Sequence, residues 1–129
     1  MENRDNNLTG IRPALDLSPA SGEIEQFQNN TLRPILKFQH NLLIRICHLQ
    51  FVKRKNVFFG LGEPKQLIYI EQHITQDKQF KNLLLGAIVG HFTLAEWDFY
   101  KTQEQKLRKR MTVLLIQRIQ SDVRALVNP

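Results

Sequence analysis

Between residues 35 and 49 the apolar side chains Ile35, Leu36, Phe38, Leu42, Leu43, Ile46 and Leu49 recur at spacings of three and four. That is the period of one face of an α-helix, and no strand could gather those residues on one side. Thr31 is suited to cap the start. Pro34 is tolerated in a first turn, whose amides have no helical partner. The pattern predicts one long helix from near Asn30-Thr31 to about Arg54, with Lys37, Asn41, Arg45 and His48 on its other side.

The same period recurs downstream. Glu63-Pro64 opens a second helix through Leu67, Ile68, Ile70 and Ile74, and Asp77 caps a third from Lys78 to Val89. Phe80, Leu83, Leu84, Leu85, Ala87 and Ile88 cover most of that third helix, which places it centrally. Gly86 is expected to admit a close helix neighbour, and Gly90 to end the helix in the left-handed conformation. Thr93-Leu94-Ala95-Glu96 is a capping box leading into Trp97, Phe99 and Tyr100. A break follows near Thr102. The last helix uses Leu107, Met111, Leu114, Leu115, Ile119 and Leu126. Between the first two helices, Val57-Phe58-Phe59-Gly60-Leu61-Gly62 reads as a hinge whose aromatics plug the end of the core. No segment alternates apolar and polar residues over a strand's length. The expected class is all-α: a small helical bundle of about five helices.

Residues 1–22 show no such period and are rich in Asn, Asp, Ser, Pro and Gly, so they read as a flexible, disordered N-terminal tail. Leu15 and Leu17 are its candidate docking residues. Residues 23–129 read as a single helical domain, and 129 residues with 42% apolar content suffice for one core. No apolar run approaches the roughly 18 residues that span a bilayer, which argues against a membrane partner. The polar start and the lone Cys47 point to a cytoplasmic protein.

The net charge of +6 is unevenly placed. Residues 26–62 carry six basic and no acidic side chains, and residues 101–129 seven against two. Lys53, Arg54 and Lys55 close the first long helix, where cations complement the helix dipole. Lys106, Arg108, Lys109 and Arg110 form a denser group. Lys106, Lys109, Arg110, Gln117, Gln120 and Arg124 fall within about 100° around the last helix, a stripe able to lie along a phosphate backbone. These two clusters and Arg124 are the candidate nucleic-acid contacts, although no aromatic is interleaved for base stacking.

Nothing in the chain reads as a catalytic or metal site, and no cofactor is expected. His40, His48, His73 and His91 lie on different turns or helices. His40 and Cys47 share a face but stand about 10 Å apart along a helix, too far to bind one zinc ion. Cys47 and His48 are adjacent, so their side chains diverge by about 100°. Glu71, Glu96 and Asp98 fall on helix surfaces without a paired carboxylate. Gly60-Leu61-Gly62 lacks the lysine and hydroxyl of a phosphate-binding loop. Three polar residues interrupt apolar faces instead: Gln39 in the first long helix, Arg118 and Asp122 in the last. Buried polar groups need partners and often set helix register, which makes these three candidate interface residues between subunits.

The run Phe27-Gln28-Asn29-Asn30-Thr31-Leu32-Arg33-Pro34-Ile35-Leu36-Lys37 resembles a group of short bacterial proteins of unassigned activity. So do Phe80-Lys81-Asn82-Leu83-Leu84-Leu85-Gly86, Gly90-His91-Phe92-Thr93 and Leu115-Ile116-Gln117-Arg118-Ile119-Gln120-Ser121. The resemblance covers residue 27 to about 125. Members often carry the label glyoxalase, which implies strand-borne His and Glu metal ligands; the residues here provide neither the strands nor the ligand spacing, and no site residue carries over.

Three functions are therefore expected, in this order. The first is a non-enzymatic protein-interaction module, self-associating into a homo-oligomer or binding another protein. The second is RNA or DNA binding through the basic last helix. A glyoxalase-type lyase, as the label suggests, comes last.

Overall fold

The computed structural model describes residues 2–15 and 22–129. Among them the fold is entirely helical, with no strand: α1 (Glu2–Ile11), α2 (Glu23–Phe27), α3 (Arg33–Lys53), α4 (Glu63–Gln76), α5 (Lys78–Val89), α6 (Leu94–Thr102), α7 (Glu104–Gln120) and α8 (Val123–Val127). The all-α class is as the periodicity requires. The helices outnumber the expected five or so for local reasons. Asp122 breaks the last helix by accepting a hydrogen bond from the Ala125 amide, which caps α8. The N-terminal region contributes two more, α1 and α2.

α3 does not begin at a capped Thr31. The chain is already helical from Glu23, and a π-helical turn, Gln28–Leu32, inserts one extra residue between α2 and α3. Phe27 anchors this extension, its ring edge-on to Phe92 at 5.5 Å and tilted against Phe99 at 5.2 Å. Thr31 is buried, and its hydroxyl donates to the Glu96 carboxylate at 2.7 Å. A tertiary contact has replaced the local cap.

α3 is the axle. α7 and α8 run parallel to it, with Arg110 reaching Gln28, His40 reaching Asp122 and His48 reaching the Leu126 carbonyl. α5 runs antiparallel, with Gln39 bonded to Ala87 and Arg54 to Asp77. Leu32, Ile35, Leu43, Cys47 and Phe51 from α3 and its π-helical lead-in meet Ile70, Ile74, Leu84, Ile88, Leu107, Met111, Leu115 and Ile119 with almost no exposed surface. The apolar face of α3 is wider than this core needs: Phe38, Leu42, Leu49 and Val52 stay exposed.

At one end, Val57–Gly60 forms a single 3-10 turn that delivers Phe58 wholly buried against Phe51, ring centroids 4.7 Å apart. The plug expected of this segment is therefore present. The left-handed backbone lies just before it, at Lys55 (φ 62°) and Asn56 (φ 59°), and not at a glycine. Gly90 is right-handed, at φ −59°. An added Cβ at Gly86 would meet nothing within 4 Å, so no helix approaches there.

At the other end, residues 2–15 are not the structureless leader their composition suggests. α1 has no apolar face and is held by polar side chains. Arg4 donates to the Gly90 and Phe92 carbonyls and Arg12 to that of His91, so two guanidiniums satisfy carbonyls left free where α5 ends. Asp5 accepts from the Leu94 amide at the start of α6. Arg12 also grips both oxygens of Glu96 at 2.6 Å. The Thr93–Glu96 capping box forms as expected, with Glu96 additionally serving Thr31 and Arg12. Leu15 is half-buried, while Leu17 lies outside the described residues.

Candidate nucleic-acid interface

The π-helical turn changes the charged surface. Gln28 and Asn29 lie in this turn, and each bonds a neighbouring guanidinium. Gln28 Oε1 accepts from Arg110 at 2.9 Å, and Asn29 Oδ1 from Arg33 at 3.3 Å. Both arginines thus line one groove with Lys106 and Lys109. The groove, about 720 Å³, runs between the α2–α3 junction and α7. Ile24, Val113 and Leu114 give it an apolar floor, Gln28 and Gln117 add amides, and no acidic side chain lines it. α7 contributes positions 106, 109, 110, 113 and 117, which share one face at helical spacing.

The eight basic residues expected to contact nucleic acid do not form one surface. Lys106, Lys109 and Arg110 meet in the groove, joined by Arg33, which sequence reasoning missed. Arg108 points elsewhere and donates to Asn82 on α5 at 2.8 Å. Arg124 lines a separate recess with Glu63 and Asp122. Lys53, Arg54 and Lys55 lie at the far end of α3, about 30 Å from Arg33 given the helix rise, and Arg54 is paired with Asp77 at 2.7 Å. Of the stripe's amides, Gln117 lines the groove, and Gln120 instead donates to the Leu67 carbonyl on α4. The signal that could have found Arg33 is Asn29, one turn before it, which only the continued helix makes a neighbour.

Two of the three candidate interface residues have side-chain partners within the chain. Gln39 donates to the Ala87 carbonyl at 3.1 Å and pins α3 to α5. Asp122 accepts from His40 at 2.8 Å while capping α8, and the His40 bond leads the effects that hold its carboxyl below the usual range. Arg118 is half-buried on α7.

Cys47 is wholly buried, and burial pushes its thiol up to about 12, so it carries no thiolate near neutral pH. His73 stacks on Tyr69 and takes a hydrogen bond from Gln50; burial, then the charge of Arg54, lower its pKa. Among the described residues, no three of His, Cys, Asp and Glu stand close enough together to hold a metal ion, and no helix is long and apolar enough to cross a membrane. The chain matches no known family, and no curated protein or solved structure is detectably similar to it.

Proposed function

We propose that this protein binds single-stranded RNA or DNA by its phosphate backbone, through the groove lined by Arg33, Lys106, Lys109 and Arg110. The observation that carries the reading is convergence: four cations from two elements face one acid-free groove, with both guanidiniums oriented by amides of the π-helical turn. Oriented guanidiniums fit phosphate oxygens because each presents paired N–H donors in a fixed fork. The absence of aromatic residues from its lining fits recognition of backbone over base. Ile24, Val113 and Leu114 offer apolar surface for sugars.

The test is fluorescence anisotropy with a mixed-sequence strand of about 20 nucleotides at low salt. Four phosphate contacts predict a slope of about −3 in log affinity against log salt, or about a 50-fold loss between roughly 50 and 200 mM. Arg33→Gln with Arg110→Gln should weaken binding at least about tenfold and flatten that slope. Replacing Lys53, Arg54 and Lys55 by glutamine should change affinity little, because they lie at the other end of α3. The reading falls if low-salt binding is absent, or if the distant triple variant loses as much as the groove variant.

A further inference from the structure

The exposed face of α3 is a second surface, unrelated to the groove. Phe38, Leu42, Arg45, Leu49 and Val52 are all exposed and follow one another at spacings of four, three, four and three. That is the 3.5-residue repeat of a coiled-coil seam, extending over most of this 21-residue helix. Exposures of 45% at Phe38, 49% at Leu42 and 54% at Leu49 rule out core positions at the edge of the bundle. The antiparallel α5 widens the surface with Leu83, 57% exposed, and with Gly86, above which there is open space. The result is a long apolar strip beside a shallow step, shaped for another helix. Arg33 lies on the opposite side of α3.

Charge identifies the occupant. Neither α3 nor α5 contains an acidic residue. Arg45 sits at the midpoint of the strip, and Lys37 and Lys53 are exposed toward its two ends. If a second copy of this chain paired through the strip, Arg45 would meet Arg45 in either the parallel or the antiparallel arrangement, since it is the central position. Lys37 and Lys53 would add like charges, and Asp77, the carboxylate at the start of α5, is already engaged by Arg54. Such a seam opposes self-pairing. It complements a helix that places apolar residues at the same repeat and carboxylates beside them.

We propose that the α3–α5 face is a docking site for an acidic amphipathic helix of another protein. The apolar strip supplies contact area, and Arg45, Lys37 and Lys53 select for acidic flanks.

The probe is a designed helical peptide of about 21 residues with leucine at the seam positions and glutamate beside them. A lysine counterpart and a scrambled peptide serve as controls. The acidic peptide should bind with a dissociation constant on the order of 10 μM and the lysine peptide at least about tenfold more weakly. Leu42→Ser with Leu49→Ser, both at exposed positions, should keep the helical circular dichroism and lower affinity at least about tenfold. Arg45→Glu should reverse the preference between acidic and basic peptides. Arg33→Gln with Arg110→Gln should leave peptide binding unchanged, which separates this site from the groove. Equal binding of both peptides, loss of binding in the groove variant, or no binding by the acidic peptide would overturn the proposal. So would sedimentation as a dimer abolished by the leucine changes, or capture of the protein by phosphatidylserine vesicles dependent on the same residues.

Discussion

Replacing Arg12 by methionine should be among the most destabilising single changes in the chain, although Arg12 lies in a segment with no apolar period. Its side chain is only 9% exposed and that of Glu96 17%. The substitution removes two hydrogen bonds of 2.6 Å to the two Glu96 oxygens and a third to the His91 carbonyl. Glu96 keeps the Thr93 amide at 2.8 Å and the Thr31 hydroxyl at 2.7 Å, which limits the damage. Breaking a buried charge pair costs roughly 3 to 5 kcal/mol, and the retained bonds favour the lower end, about 3 kcal/mol. At about 2.1 cal/mol/K per residue, unfolding this chain releases about 270 cal/mol/K, so Tm should fall by about 11 °C.

The pH dependence is a second readout. Burial alone would push the Glu96 carboxyl up. The bonds from Arg12, the Thr93 amide and Thr31, together with the Arg12 charge, outweigh it and hold the carboxyl below its ordinary value of 4.5. A depressed folded pKa contributes stability that is complete above the unfolded value and lost as pH falls through the folded one. Without Arg12 the burial remains and its main counterweight is gone, so the folded pKa moves up and that contribution shrinks or reverses. The difference in Tm between parent and Arg12→Met should be widest at neutral pH and narrow below about pH 4. Thermal melts followed by circular dichroism across pH would measure both effects. A drop smaller than about 3 °C at neutral pH, or a difference that grows with acid, refutes the argument and with it the docking of α1.

Two further changes test local geometry. Lys55 holds φ at 62°, where a side chain is strained and glycine is not, so Lys55→Gly should stabilise by about 0.5 to 1 kcal/mol and raise Tm by about 2 to 4 °C; a lower Tm would show that the turn is not left-handed. Asp122→Ala removes the α8 cap and the His40 bond and should cost about 1 kcal/mol, with no change in sedimentation. A change of oligomeric state in that variant would return Asp122 to the role of an intersubunit residue.

Much of the fold was legible along the chain because its signals are local. The α5 limits, the Asp77 cap and the Thr93–Glu96 box each depend on residues within a few positions of one another. The candidate site was legible only in part. The spacing of Lys106, Lys109 and Arg110 gave them a common face, but Arg33 joined them through a π-helical turn that depends on Phe27 packing against Phe92 and Phe99. Helical periodicity also could not tell a buried residue from an exposed one: Leu42 and Leu43 are equivalent in composition, yet only Leu43 enters the core.

By itself, then, the sequence determined that the chain is helical, where α4, α5 and α6 begin and end, and that cations gather on one side of the last long helix. Hydrogen bonds and apolar periods three or four residues apart carry those things, so they can be read without knowing any long-range contact. Tertiary structure decided the rest: that a polar N-terminal segment is helical and clamped to the α5–α6 junction, that Gln39 and Asp122 bond within the chain, and that part of the α3 face remains uncovered. The first two of those outcomes rest on bonds between groups at least 48 positions apart, and their pairing, like the uncovered face, is set by which helices pack together.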